Sequence, residues 1–73
     1  MTEGEYWEID GERLQEIRMS RGLTLRRLEQ HSGVLYERLN ELEQGGGVVE
    51  EDTVEMLAEA LDVEPSELSA EGA

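Results

Sequence analysis

The chain has 73 residues, room for one small domain that is marginal without a staple, and no cysteine from which disulfides or thiolate metal sites could be built. Nineteen acidic residues against six arginines and no lysine give a formal net charge of −13, which predicts weak non-specific binding to any polyanion. No apolar run exceeds three residues, which excludes a helix crossing a membrane.

Residues 1–9 read as a polar lead-in carrying Tyr6 and Trp7, a pair that either packs over the core as a lid or makes a dimer contact. This segment has no apolar stretch of signal-peptide type, so a cytoplasmic protein is expected. Asp10 suits the N-cap of helix 1, about residues 11–21, with Leu14 and Ile17 facing inward and Gly22 as its stop. Thr24 suits the cap of helix 2, about 25–31, which buries Leu25 and Leu28. Gly33 supplies the positive φ that a sharp turn needs. Helix 3, about 35–43, sets Leu35, Leu39 and Leu42 at i, i+4 and i+7 and ends in Gly45-Gly46-Gly47. Asp52-Thr53-Val54-Glu55 reads as a capping box opening helix 4, with Val54, Leu57, Ala58 and Leu61 along one face. Pro65 opens a final turn that tucks in Leu68, and residues 69–73 form a frayed tail. The expectation is an all-α domain over residues 10–68, with five short helices and no strand.

Charge is divided along the chain. Residues 1–12 carry −5, residues 13–27 carry +4 and residues 28–73 carry −12. Positive character is thus confined to helix 1 and the start of helix 2. His31 alone, without cysteine, cannot form a metal site, and Glu50-Glu51-Asp52 lacks the pattern of a calcium loop. No cofactor is expected. There is no nucleophile–base pairing, no nucleotide-binding loop and no room for an apolar substrate pocket, so the chain is not read as an enzyme.

Leu23 to Gly45 (LTLRRLEQHSGVLYERLNELEQG) places two short amphipathic segments on either side of Ser32-Gly33-Val34. Helix-turn-helix units of this size insert their second helix into the DNA major groove. With Leu28, Val34, Leu39 and Leu42 as apolar framework, Ser32 and Gly33 at the turn, Glu43 before Gly45, and EEDTVEMLAEALDVEPSEL at the close, residues 11–68 resemble the Cro/C1-type (XRE-like) helix-turn-helix family. The resemblance implies a compact five-helix, lambda-repressor-like domain and a transcriptional regulator that binds double-stranded DNA as a homodimer. It also implies an ion pair between Arg18 and Glu43, phosphate contacts from Arg26 and Arg27 with Arg21 close by, and a base-facing set of Tyr36, Glu37, Arg38, Asn40 and Glu41.

The chain departs from that pattern at several positions. Leu35 cannot cap helix 3, as the short polar residues of the family do. Glu37 and Glu41 share one face where a base is common, and carboxylates there repel phosphates. Glu29 occupies a position that is normally alanine, so it must snorkel out or splay helices 2 and 3. These departures support an alternative, a protein-binding patch of Leu35, Tyr36, Val48 and Val49 with a carboxylate rim. Its partner would be a toxin, another repressor or the transcription machinery, with acidic helix 3 presenting DNA-like charge. Arg26 and Arg27 then keep two readings, phosphate contact or solvated ion pairing.

Overall fold

The computed structural model describes residues 5–70. Four α-helices, α1 (Gly11–Ser20), α2 (Leu25–Ser32), α3 (Tyr36–Gly45) and α4 (Glu51–Leu61), are followed by a 3-10 turn, Pro65–Leu68. The first two start where a short side chain meets an orphan amide. Asp10 accepts from the Arg13 amide at 3.1 Å, and Thr24 Oγ1 accepts from the Arg27 amide at 3.1 Å. Gly33, at φ 84°, takes the left-handed conformation that ends α2. Ser32 ties that turn down from inside. Its hydroxyl donates to the Leu28 carbonyl at 2.7 Å and accepts from the Val34 amide at 3.1 Å.

The core is aliphatic. Leu14, Leu28, Leu39, Leu42, Val54, Leu57, Leu61 and Leu68 are completely buried, one or more from every helix and the final turn. Helices α1 and α3 approach so closely that a Cβ on Gly11 would strike the Leu42 carbonyl oxygen.

The expectation of no strand is overturned. Tyr6–Ile9 (β1) pairs antiparallel with Gly47–Glu50 (β2), in the register Tyr6↔Glu50, Trp7↔Val49, Glu8↔Val48 and Ile9↔Gly47. Alternation then sends Ile9, Val49 and half-buried Trp7 toward the core and leaves Tyr6, Glu8, Val48 and Glu50 outside. Each strand has four residues, too short to show a period, and each is stabilised only by a partner far along the chain. Part of the predicted lead-in is therefore structural. Trp7 packs against the core, while Tyr6 is 64% exposed.

The described part of the predicted frayed tail is also paired: Ser69 bridges Ile9, and the Ala70 amide donates to the Glu8 carbonyl at 2.8 Å. Residues 71–73 lie outside the described residues.

Two helix starts differ from expectation. Helix α4 begins at Glu51, and its N-cap Glu50 makes no side-chain bond. The Glu51 amide instead donates to the Glu5 carbonyl at 3.0 Å, so the sheet ladder, rather than an Asp52 capping box, meets that orphan donor. Helix α3 begins at Tyr36, which leaves Leu35 outside it and 68% exposed rather than on its buried face. The described residues form a compact, mostly helical domain of four helices and a 3-10 turn in place of the expected fifth helix, with one small sheet where a polar lead-in and a loop were expected.

Candidate nucleic-acid interface

The turn at Gly33 sets the start of α3 beside α2, and the arginines around this corner divide into tied and free. Arg18 is tied. Its Nε donates to Glu43 Oε2 at 2.6 Å, its Nη2 to Glu43 Oε1 at 3.0 Å, and its Nη1 to the Leu23 carbonyl at 2.7 Å. The two side chains are only 12% and 3% exposed. The hydrogen bond to Glu43 holds the Arg18 pKa above the ordinary arginine range, against the opposing effect of burial. This fork fastens α1 to the last turn of α3 and to the residue that leads into α2.

Arg21, expected beside the phosphate contacts, points elsewhere. Its Nε donates to the Leu61 carbonyl at 2.8 Å and its Nη2 to the Asp62 carbonyl at 3.2 Å. It satisfies and charge-balances the C-terminal end of α4, where cations are favoured. Arg38 is tied as well, with Nη2 on the Val48 carbonyl at 3.0 Å and Nη1 on Glu41 Oε1 at 3.3 Å. It links α3 to β2 while remaining solvent-exposed.

Arg26 and Arg27, in the first turn of α2, are what remains near the corner. The Arg26 guanidinium lies 4.2 Å from the centroid of the Tyr36 ring. Its Nη1 is 3.7 Å from Glu29 Oε1, and the side chain stays 71% exposed. Arg27 is exposed and makes no ion pair among the described residues. Arg26 and Tyr36 are thus brought together across two helices, while Glu37 and Glu41 stand exposed on α3. Asn40 is half-buried, and its Oδ1 accepts from Gln44 Nε2 at 3.2 Å.

Glu29 is half-buried and turned toward the start of α3 rather than out to solvent. Its Oε2 accepts from the Tyr36 amide at 3.0 Å, which is the first helical amide of α3. Leu35 makes no side-chain cap bond. The sequence held both halves of this contact as anomalies, an apolar residue at a cap and a carboxylate at a close approach. Neither anomaly names the other as its partner.

The alternative patch is also redrawn. Val49 is 5% exposed and belongs to the core, because it lies on the inner face of β2. Leu35 and Val48 do stand exposed. With Tyr6, Val34, Thr53 and Met56 they line an open groove of about 480 Å³ beside α3. Among the described residues no cluster of three or more histidine, aspartate or glutamate side chains could hold a metal. No described helix is long and apolar enough to cross a membrane.

Comparison with known proteins places this geometry. A family model described as a helix-turn-helix domain matches residues 11–70. The restriction-modification controller protein C.AhdI from Aeromonas hydrophila superposes with a TM-score of 0.73 at 37% identity, covering 78% of this chain and 86% of that one. A hydroxyethylphosphonate dioxygenase variant superposes with a TM-score of 0.73 at 31% identity, covering 85% of this chain. Cadmium-bound PhpD with hydroxyethylphosphonate gives 0.71 at 31% identity and the same 85% coverage. In both, the match spans only 13% of the longer chain, so the likeness is to one small part of each and carries none of its chemistry. No curated protein sequence matches.

Proposed function

The chain belongs to the helix-turn-helix family, of Cro/C1 type, and is a DNA-binding transcriptional regulator of that type; from this premise we propose that it grips duplex DNA through the start of α2 and reads it with the exposed face of α3. Arg26 and Arg27 hold phosphates. Tyr36, Glu37, Arg38, Asn40 and Glu41 face the bases, where a carboxylate accepts from cytosine N4 and Arg38 reaches guanine by exchanging its exposed contacts with Glu41 and the Val48 carbonyl. The observation that carries the reading is the stack of exposed Arg26 on Tyr36 beside Arg27, which makes no ion pair among the described residues, two cations at a helix N-terminus that itself favours anions. The likeness to a restriction-modification controller protein supports a controller's role of the same kind. Two copies spanning a two-half-site operator fit the way such units dock, and DNA as partner implies a cytoplasmic protein.

The test is selection of bound duplexes from a random pool at about 50 mM and about 200 mM salt. A defined site with two-fold symmetry is expected. For that site, replacing both Arg26 and Arg27 by alanine lowers the slope of log affinity against log salt by about two, one unit per phosphate contact. No enrichment at either salt with a protein folded by circular dichroism overturns the reading, as does an unchanged slope.

A second reading is favoured by the groove beside α3, whose exposed Leu35, Val48, Tyr6 and Met56 form an apolar strip. Glu50 lies on the groove's rim in a chain of net charge −13, so the occupant that fits is an amphipathic segment with basic flanks from another protein. Replacing Leu35 and Val48 by serine abolishes capture of such a segment; capture that survives the change sinks this second reading.

A further inference from the structure

Helix α3 has an uncovered beginning. The first amides of any helix lack intrahelical acceptors, and a side chain at the N-cap ordinarily meets one of them. Here the N-cap is Leu35, which has no polar atom and makes no cap bond. Seven residues before Tyr36, on a different helix, Glu29 places Oε2 3.0 Å from the Tyr36 amide. Its other oxygen, Oε1, lies 3.7 Å from Arg26 Nη1. The Arg26 guanidinium in turn lies 4.2 Å from the centre of the Tyr36 ring. The three residues close a ring: carboxylate to backbone amide, carboxylate to guanidinium, guanidinium to aromatic face. Glu29 is half-buried, with 27% of its side chain exposed, so water competes for it less than for an open surface carboxylate.

We propose that Glu29 is a positioning residue for the DNA-facing helix. Its carboxylate meets the first orphan amide of α3, at a helix start where Leu35 offers no acceptor, and by holding Arg26 over Tyr36 it sets the phosphate-gripping and base-facing groups relative to one another. The proposal rests on the DNA-reading function for its consequence, but its geometry can be tested without DNA. A carboxylate so near the interface also repels phosphate. Glu29 therefore acts in two opposed ways, aligning the helix and lowering the local potential, and the neutral isostere separates them. Glu29→Gln keeps an oxygen acceptor and removes the charge. Glu29→Ala removes both.

The experiment has two arms. In the first, amide hydrogen exchange and proton chemical shifts are read by NMR on the free protein. Because the Tyr36 amide has no intrahelical acceptor, its protection reports the Glu29 bond alone. Glu29→Ala is expected to speed its exchange several-fold and to abolish the upfield ring-current shift of the Arg26 side-chain protons. Glu29→Gln is expected to retain most of both. Unchanged Tyr36 protection and unchanged Arg26 shifts in Glu29→Ala overturn the proposal, whatever the DNA result.

In the second arm, binding is measured to the duplex selected from the random pool, or to a mixed-sequence duplex if none is selected. Glu29→Ala is expected to bind about five-fold more weakly than Glu29→Gln, the equivalent of one lost helix cap. The addition of Leu35→Ser, which supplies a cap locally, should restore much of that difference. Equal affinity of the two Glu29 variants, with the native protein binding normally, overturns the positioning role. If the native chain binds neither duplex while the first arm behaves as expected, the DNA-reading function fails and the cross-helix cap stands.

Discussion

Two arginine–glutamate pairs sit at opposite ends of α3, and they are built in opposite ways. Arg18 and Glu43, at its C-terminal end, form a two-pronged bridge at 2.6 and 3.0 Å that is almost wholly buried. Arg26 and Glu29, at its N-terminal end, stand 3.7 Å apart with the arginine 71% exposed. In the first pair every guanidinium nitrogen and both carboxylate oxygens have a hydrogen-bond partner, and the pair fixes where α3 lies against α1. The second leaves a guanidinium in solvent, stacked on Tyr36, able to meet an incoming anion without breaking a buried bond. Burial separates a brace from the proposed grip, although the residue types are the same.

The comparison can be broken most decisively at the brace. Arg18→Ala strands the Glu43 charge in the interior and is expected to cost about 3–5 kcal/mol of stability in urea denaturation. Arg18→Met with Glu43→Leu should regain most of that loss, because no charge remains to be desolvated. A cost for Arg18→Ala below about 1 kcal/mol would place the buried pair in the same class as the exposed one.

Next in size is Gly11→Ala. The added methyl meets the Leu42 carbonyl where α1 crosses α3, and overpacking of this kind costs about 1–3 kcal/mol in thermal unfolding. At the other end, Arg26→Ala should change stability by less than about 1 kcal/mol, the sum of a weak ion pair and an exposed cation–π contact, while lowering DNA affinity. The smallest effect is that of salt on stability. Raising ionic strength from about 0.05 to 0.5 M should erase the stability difference between Arg26→Ala and the native chain and leave that of Arg18→Ala intact.

Much of this was legible in the residues. Asp10, Thr24 and Gly33 announce their caps and their turn because each acts on amides within three or four positions of itself. The leucines of α3 and α4 announce a buried face because helical spacing repeats locally. The pairing of Arg18 with Glu43 came through family resemblance, since nothing in their separation of 25 residues predicts it. The hidden features are those whose partners lie on other elements. Val48 and Val49 look alike in sequence; only the register with β1 sends Val49 inward and leaves Val48 exposed. Arg21 looks like its neighbours in charge, yet it reaches 40 residues along the chain to the end of α4.

By itself, then, the sequence determined four helices, their turns and their apolar faces, because those depend on interactions spanning a turn or two of chain. Only the tertiary structure decided which arginines are tied, which valine is covered and what meets the first amide of α3. Those outcomes depend on distances between elements, and a side chain's charge does not reveal which oxygen the fold will bring to it.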